Sequence, residues 1–520
     1  MTALDTRDVA HQTTTSVLRK LQREVQDIRE SWGVAATRRG MLATTLILVG
    51  SFSPASLPNQ NPFRSVPVIG SMQYWPGMAL AATLTIVGAF LLLDSWLRLR
   101  PSAAHRPTTR GTLWLWVLPL LLAPPLLSFD SYSYAAQGAM VSQGLNPYTD
   151  GPGLLDGDYR LQVDPLWQYT PAPYGPLSLQ LQHLLVDVSG HNAYLSAVLM
   201  RIPATIGVGL IAVYLPRLAR KLGYDRETTI WLAVLNPLVV LHLVGGAHND
   251  SLMIGLMVLA LWVAAERHLM WAAVAVAAAA SVKQPAAAAI IAVAALTVWR
   301  TKGEKPTNAE VLRALLPATA VFAVAFAAIS LVSGLGFGWV KAMGVPNTVR
   351  SMLSPFTMVG TGFEWLLNMM GFYDTAGAAV PFLQRMSQLL GALVIVWLLW
   401  RYKASQPVRT LGWVLLVFVI SSPVVHPWYL LWGGLIFAMT ESAPKARRWV
   451  IWVTAAMVIY STVDAASRNY ALSVGATAVA ALIWLATGHD RDLNRGRRLV
   501  SRARPAPVDQ DPDRDSARAA

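Results

Sequence analysis

Residues 77–97 read GMALAATLTIVGAFLLLDSWL, a run of 21 residues in which Asp94 is the one charged side chain. A helix rises 1.5 Å per residue, so this run is about 32 Å long and can cross the roughly 30 Å hydrocarbon core of a bilayer. Similar runs recur along the chain, and 54% of its 520 residues are hydrophobic while 13% are charged. The sequence therefore predicts an all-α polytopic membrane protein and argues against a water-soluble enzyme.

Apolar runs bounded by charged residues, Pro or Gly predict fourteen membrane-spanning helices. They are 41–56, 77–97, 111–127, 193–216, 228–244, 250–265, 269–283, 285–299, 312–333, 379–400, 410–425, 428–440, 449–463 and 471–488. The Ala-rich pair 269–283 and 285–299 is short enough to be a re-entrant hairpin, which would leave twelve spans.

The basic residues indicate how the chain is oriented. When the chain is threaded alternately through the membrane, 34 of its 42 Lys and Arg fall on one side, which the positive-inside rule makes cytoplasmic. Both termini are then expected in the cytosol of a multi-pass plasma-membrane protein. The net charge of +14 fits this bias, so no nucleic-acid partner is expected. The absence of cysteine excludes disulfides, thiol nucleophiles and zinc–thiolate sites.

Three parts of the chain differ in composition. Residues 1–39 are predicted to be a cytoplasmic tail with an amphipathic helix that lies on the inner leaflet or pairs with a partner, although a solvated helix is also compatible. Its apolar positions are Val17, Leu18, Leu21, Val25 and Ile28. Residues 40–490 form the predicted transmembrane catalytic domain, and the basic tail 491–520 is predicted to be disordered. Two long outer loops, 128–190 and 334–378, place the expected working face outside.

The first long outer loop opens with DSYSYAAQG at residues 130–138. Asp130, Tyr134 and Gln137 share one face of any helix that begins there. A carboxylate beside aromatic and amide groups suits a sugar, and it could deprotonate a hydroxyl at the lipid–water boundary. The alternative is that Asp130 is only a helix N-cap. The aromatic, Pro-rich stretch 167–176 either binds saccharide or braces the loop.

Three further segments carry polar groups at the predicted outer surface. Residues 245–250 read GGAHND, in which Asn and Asp are expected either as an N-cap or as part of a site. Residues 281–285 read SVKQP, and this lysine either binds a phosphate or snorkels to the interface. Residues 421–429 read SSPVVHPWY, whose His could bind a phosphate or a sugar and whose aromatic residues also fit an interfacial belt.

Two arginines, Arg201 and Arg385, are predicted inside spans, where a charge is costly and marks either an ion pair or an anionic ligand. The chain contains no Walker loop, no GxGxxG after a strand, no HExxH and no nucleophile elbow. Nucleotide-driven pumping, dinucleotide chemistry and zinc hydrolysis therefore lack support.

These segments resemble a known family of membrane glycosyltransferases. The relevant residues are 130–138, GLNPY at 144–148, HND at 248–250, KQP at 283–285 and HPWY at 426–429. They are similar to the GT-C class, and within it to the polyprenol-phosphomannose-dependent α-1,6-mannosyltransferases of mycobacteria and corynebacteria, which build the lipomannan and lipoarabinomannan backbone.

The resemblance extends over about residues 40–490 and implies a mechanism. Asp130 would be the general base, and polyprenyl phosphomannose would be the donor to a lipid-anchored mannan acceptor, with inversion at the anomeric carbon. Donor phosphate would be bound by Lys283, Arg201, His426 and Arg385. No metal and no other cofactor is expected. The expected sugar and acceptor contacts are Tyr132, Tyr134, Gln137, Asn146, Tyr148, His248, Asn249, Asp250, Gln284, Trp428 and Tyr429.

Two other functions are compatible with the sequence. A GT-C enzyme could use another lipid-linked sugar such as arabinofuranose. A flippase for lipid-linked sugars could use Arg201, Lys283 and Arg385 as a phosphate path, although the predicted inner loops are too short to form much of a gate.

Overall fold

The computed structural model describes residues 22, 24–102 and 109–468. The predicted span 471–488 and the tail 491–520 lie outside these residues, as does most of the predicted amphipathic segment. Residues 24–33 are helical and include Val25, which is exposed, and Ile28, which is partly buried. Over the described ranges the secondary structure is helical and no β-strand is formed, as the apolar runs predict.

The helices follow one another with few long loops. In the first part of the chain they are α1 (Ala35–Gly50), α2 (Gly77–Arg98), α3 (Thr109–Leu121), α4 (Asp130–Ser142), α5 (Pro176–Val188), α6 (Ala193–Leu199) and α7 (Arg201–Lys221). Two bent segments come next, Arg226–Val234 and Val239–Gly245. The later helices are α8 (Asp250–Ala265), α9 (Leu269–Val282), α10 (Ala289–Lys302), α11 (Asn308–Val332), α12 (Pro355–Met369), α13 (Tyr373–Tyr402), α14 (Pro407–Ser421), α15 (Leu431–Thr440) and α16 (Pro444–Ser467).

Short helical turns connect several of these helices. They are Gly70–Gln73, Pro152–Leu154, Asp158–Leu161, Gln284–Ala288, Trp339–Ala342, Val345–Thr348 and Pro427–Leu430. Residues 128–190 thus contain two short helical turns in addition to α4 and α5.

Six helices of the described residues are long and apolar enough to cross a membrane, or seven if the bent pair is one span. The thirteen spans predicted within the described residues all overlap helices, but several of those helices are short. Helix α8, for example, has 16 residues and is mostly buried, so it is about 24 Å long. Apolar composition alone does not distinguish a helix that crosses lipid from one that is enclosed by other helices.

The apolar core is built around α7, α8 and the bent pair, whose facing side chains are buried. The bent pair turns by 55° and contains π-helical turns, which often occur at functional sites. Helix breaks before α4, before α8, after α9 and after α14 lie next to one another at one end of this core. Polar side chains at the breaks form the candidate site.

Candidate active site

Asp130 is the first residue of α4, and its carboxylate is not used to cap that helix. The backbone N–H of Asp130 donates to Ser128 Oγ at 2.9 Å, and no side-chain cap is formed at the N-cap residue Phe129. The carboxylate is 19% exposed, and its Oδ2 lies 3.4 Å from Tyr134 Oη and 3.4 Å from His248 Nδ1. The N-cap alternative is therefore wrong, and Oδ1 has no hydrogen-bond partner among the residues that the structure describes.

The turn that precedes α8 brings a second set of polar groups to Asp130. Asn249 does not cap α8 with its side chain but donates to Ser178 Oγ at 3.2 Å. Its Oδ1 lies 3.4 Å from the hydroxyl of Tyr134, which is also next to Asp130. Tyr134 thus connects the two segments that the sequence places 115 positions apart.

Lys283 lies at the break after α9 and is paired with a buried carboxylate. Its Nζ donates to Asp250 Oδ1 at 2.9 Å and Oδ2 at 3.1 Å, and the indole N–H of Trp432 also donates to Asp250. The Lys283 side chain is 8% exposed, so the snorkelling alternative is wrong. Its ammonium lies over the rings of Tyr429, Trp432 and Tyr174, at 4.3, 5.1 and 5.5 Å from their centroids. Such cation–π contacts stabilise the charge where water is scarce.

Trp428 is stacked between two histidines. Its ring is 3.8 Å from His248 and 4.4 Å from His426, with interplanar angles of 17° and 3°. Trp428 is buried, so it does not belong to an interfacial belt. The stack fixes both imidazoles relative to the Asp130 carboxylate.

The electrostatics favour an ionised Asp130. Burial raises the pKa of its carboxyl, but the adjacent imidazole of His248, with the charges of His426 and Lys283, more than offsets burial and lowers the pKa below its ordinary value. Burial lowers the pKa of His426 to about 4, with the charges of His248 and Lys283 acting in the same direction and that of Asp130 opposing them. His426 is thus neutral near neutral pH and can donate or accept a hydrogen bond.

Tyr174 reaches the site because the segment between α4 and α5 lies directly on the break after α9. A Cβ at Gly175 would lie 2.2 Å from the carbonyl oxygen of Ser281, and the Gly175 N–H donates to the Val282 carbonyl at 3.0 Å. Only glycine allows this approach without displacement. The stretch 167–176 therefore braces the loop and also places an aromatic ring beside Tyr134, 5.2 Å away between centroids.

No group of three or more His, Asp or Glu side chains within residues 24–102 and 109–468 could hold a metal ion.

Sequence comparison identifies the family. Residues 37–300 match the N-terminal domain of α-(1→6)-mannopyranosyltransferases, and residues 356–488 match the MptB C-terminal domain. The chain belongs to the α-(1→6)-mannopyranosyltransferase family. The resemblance drawn from the motifs is confirmed. In this family member, Asp130, His248 and Lys283 lie in the first matched segment and His426 in the second.

Relatives of this α-(1→6)-mannopyranosyltransferase family member are similar over most of their length. A probable α-(1→6)-mannopyranosyltransferase of Mycolicibacterium smegmatis is 32% identical, with 91% of this chain and 90% of the relative covered. Mannopyranosyltransferase A of Mycobacterium tuberculosis is 30% identical over 79% of this chain and 81% of its own. Mannopyranosyltransferase B of Corynebacterium glutamicum is 26% identical over 84% and 77%, respectively.

The structure does not support the predicted phosphate role of Arg201. Its guanidinium is buried and donates to the carbonyls of Pro124 at 2.7 Å and Gly245 at 3.0 Å. Pro124 follows the end of α3 and Gly245 is the last residue of the second bent segment, where carbonyls lack helical N–H partners. The Gly245 carbonyl also accepts the Leu126 N–H at 3.0 Å. Arg201 therefore holds the helix breaks in place, and the alternative of a structural ion pair is also wrong.

Arg385 is likewise separate from the site, because its side chain is exposed on α13. Asn146 is exposed and accepts the Tyr148 N–H at 3.0 Å, which makes it a turn residue. Tyr148 is buried against Gly338, and the hydroxyl of the buried Tyr132 donates to the Ser56 carbonyl at 2.8 Å. These predicted sugar contacts are corrected to structural roles.

The amides of two glutamines remain available for ligands. Gln137 Oε1 and Gln284 Nε2 are buried atoms without a hydrogen-bond partner in the described part of the chain. The sequence-based reasoning missed Trp432, Ser178 and Tyr174 as individual members of the site. Trp432 follows Trp428 by four positions and so shares its side of a helical turn, a spacing that could have identified it.

Proposed function

We propose that this protein transfers mannose from polyprenyl phosphomannose to a lipid-anchored mannan and forms α-1,6 linkages. Membership of the α-(1→6)-mannopyranosyltransferase family supports the mannosyltransferase activity. The observation that carries the mechanism is the Asp130 carboxylate, which is partly exposed, lowered in pKa and surrounded by His248, His426 and Lys283.

In this proposal Asp130 is the general base. Its free carboxylate oxygen accepts the proton of the acceptor 6-hydroxyl while that oxygen attacks the anomeric carbon. The bond from the anomeric carbon to the phosphate oxygen breaks, and the polyprenyl phosphate leaves with the electron pair. Attack on the face opposite the phosphate converts a β-linked donor into an α product. The low pKa of Asp130 keeps the base ionised at neutral pH.

Lys283 and His426 are proposed to bind the donor phosphate. Lys283 directs two of its three N–H groups to Asp250, which leaves one donor for a phosphate oxygen. Because Asp250 and the surrounding rings already fix the ammonium, it needs little reorganisation as negative charge develops on the leaving group. His426, neutral at neutral pH, can contribute an N–H to the same phosphate.

Tyr134, Asn249, Gln137, Gln284 and Tyr429 are proposed to contact sugar hydroxyls or ring faces. Their polar atoms or rings line the space around Asp130 and Lys283. A cavity of about 20 Å³, enough for about one water, is lined by Tyr134, Asn249, Pro203 and Leu252. No metal or other cofactor takes part in the proposed reaction.

A transfer assay tests this function. The full-length protein in nanodiscs, given polyprenyl phosphomannose and a short α-1,6-linked mannoside, is expected to extend the mannoside by one α-1,6 residue. Asp130→Asn is expected to bind donor and to lose transfer by roughly 10² to 10⁴-fold, the range for a lost general base. Asp156→Asn is the matched control, because Asp156 is an exposed acid of the same loop.

Each other outcome contradicts a defined part of the proposal. Retained turnover in Asp130→Asn would reject this residue as the base. If product forms only from an arabinosyl donor, the transferred sugar is arabinose and not mannose. Movement of labelled donor across sealed vesicles without any glycoside product would replace the enzyme with a transporter.

The site is proposed to face the outside of the plasma membrane, with both termini in the cytosol. The chain has no cysteine, so single cysteines can report sidedness. Asp156→Cys in the first outer loop is expected to react with an impermeant maleimide in intact cells, whereas Glu304→Cys in a predicted inner loop is expected to react only after lysis. The reverse pattern would place the site on the cytosolic face.

A further inference from the structure

His248 lies behind Asp130 as seen from the open side of the site. Its side chain is 0% exposed, whereas the Asp130 carboxylate is 19% exposed. Its Nδ1 is 3.4 Å from Asp130 Oδ2. A fully enclosed imidazole does not contact a sugar directly, so the contact role predicted from the sequence does not explain it.

The orientation of the His248 ring is fixed by its surroundings. Trp428 stacks on it at 3.8 Å, and His242 lies 5.9 Å away between ring centroids. Ala247, directly before it, has a φ of 54°, which is unfavourable for a residue with a Cβ. A Cβ at Gly246 would lie 2.9 Å from the His248 ring. These contacts hold Nδ1 towards the carboxylate.

The other charged or titratable groups near Asp130 are directed elsewhere. Lys283 is paired with Asp250, and the ring of His426 stacks on Trp428 and not on Asp130. Arg468 lies over the Phe129 ring and is 3.8 Å from Asp464. On α4 itself, the Tyr134 hydroxyl is shared between Asp130 and Asn249, and the Tyr174 ring packs edge-on against Tyr134. Among the described residues, the basic group that directly contacts the Asp130 carboxylate is His248.

The surroundings of the two ring nitrogens of His248 favour a proton on Nδ1, the nitrogen that faces Asp130. Both ring nitrogens of His248 are buried and neither has a hydrogen-bond partner within the described residues, but Nδ1 lies 3.4 Å from Asp130 Oδ2. A proton on Nε2 would be a buried donor without an acceptor, which is costly. A proton on Nδ1 instead faces a carboxylate oxygen.

We propose that His248 is the positioning residue for the base: its Nδ1–H donates a hydrogen bond to Oδ2 of Asp130 and directs Oδ1 towards the acceptor hydroxyl. This inference rests on the proposed role of Asp130 as general base. The proton of the acceptor hydroxyl moves to Asp130, and His248 gains and loses no covalent bond to substrate.

Three variants test the role of His248. His248→Phe keeps a ring against Trp428 but removes the N–H. It is expected to lower kcat by roughly 10 to 100-fold, as found when a group that orients a catalytic ligand is lost. The donor KM should change little, and the acidic limb of the kcat–pH profile should move to higher pH because burial then acts on Asp130 without its hydrogen-bond donor.

The other two variants, His248→Asn and His248→Gln, compare two amide side chains. The side-chain amide of His248→Asn lies near the position of Nδ1 and can still donate to Asp130, whereas that of His248→Gln lies nearer Nε2. His248→Asn is therefore expected to keep a higher kcat than His248→Gln, and the acidic limb of its kcat–pH profile should lie at lower pH. Thermal unfolding in the same nanodiscs checks that both variants are folded.

The outcomes separate this inference from the function on which it rests. An unchanged acidic limb in His248→Phe, or equal profiles for the two amide variants, would overturn the positioning role while loss of transfer in Asp130→Asn still supports the base. Retained turnover in Asp130→Asn would remove both proposals. If His248→Phe does not fold, the comparison of His248→Asn with His248→Gln decides alone.

Discussion

Lys283 and Asp250 form a buried ion pair in which one ammonium donates to both carboxylate oxygens, at 2.9 and 3.1 Å. The two residues are 33 positions apart, at the end of α9 and the start of α8. The pair joins two motifs that are separate in the sequence. Burying such a pair costs the desolvation of both charges, so the pair by itself contributes little net stability to the fold. A site that needs a cation held in one position explains the pair better.

Removing one member of this pair should destabilise the protein more than removing both. Lys283→Met is expected to lower the free energy of unfolding by about 3–5 kcal/mol, because Asp250 is left as an uncompensated buried charge. The double variant Lys283→Met with Asp250→Asn should recover much of that stability. Denaturant-induced unfolding in mild detergent measures the free energy of unfolding of both variants.

Transfer should not recover with stability, since the cation proposed to bind phosphate is still missing. The double variant is expected to show a raised donor KM and a reduced kcat in the assay described above. Full recovery of transfer by the double variant would show that the ion pair has only a structural role.

Arg201 and Arg385 should respond differently to the same substitution. Arg201→Met removes the donors to the Pro124 and Gly245 carbonyls, and each lost bond to a charged group is expected to cost about 1.5–3 kcal/mol. The donor KM of the folded fraction should be unchanged. Arg385→Met, an exposed position, is the control and should alter neither quantity. A raised donor KM in Arg201→Met would restore its predicted phosphate role.

The stability of the protein should depend on pH through His426. Its pKa is lowered from 6.5 to about 4 by burial, so the unfolded chain binds this proton more readily than the folded protein does. The stabilisation is therefore complete above pH 6.5 and is lost as the pH falls from 6.5 towards 4. The loss approaches about 3 kcal/mol below that range, at 1.36 kcal/mol per pKa unit.

Thermal unfolding between pH 7 and pH 4 measures this dependence. His426→Asn does not titrate, so its unfolding temperature is expected to fall less over the same interval than that of the unmodified protein. Parallel curves for the two proteins would show that His426 is not the group responsible.

Gly175→Ala should separate the segment between α4 and α5 from the break after α9. The added Cβ would meet the Ser281 carbonyl oxygen at 2.2 Å, and because this neighbour is backbone, the loop must move. We expect lower thermal stability, and a raised donor KM because Tyr174 shifts away from Lys283. Gly377→Ala on α13 is the control, since no atom lies within 4 Å of its Cβ position. Equal behaviour of the two variants would contradict the close approach.

The local sequence predicts some parts of the site better than others. Asp130, His248, Lys283 and His426 were identified because polar residues between apolar runs are costly and therefore conspicuous. Arg201 is conspicuous by the same signal, but its guanidinium donates to backbone carbonyls and not to the groups around Asp130. A buried guanidinium can bind an anion or backbone carbonyls equally well, and only the positions of neighbouring helix ends decide between them.

The sequence by itself determined that the chain is helical, embedded in a membrane and interrupted by polar segments, because helix length, apolar content and charge bias are local properties of neighbouring residues. Only the tertiary structure determined which side chains contact one another. Asp250 contacts Trp432, 182 positions away, and Trp428 is enclosed by His248 and His426. Such contacts depend on how helices pack at their breaks, and the periodicity of one helix carries no information about the side chains that another helix presents to it.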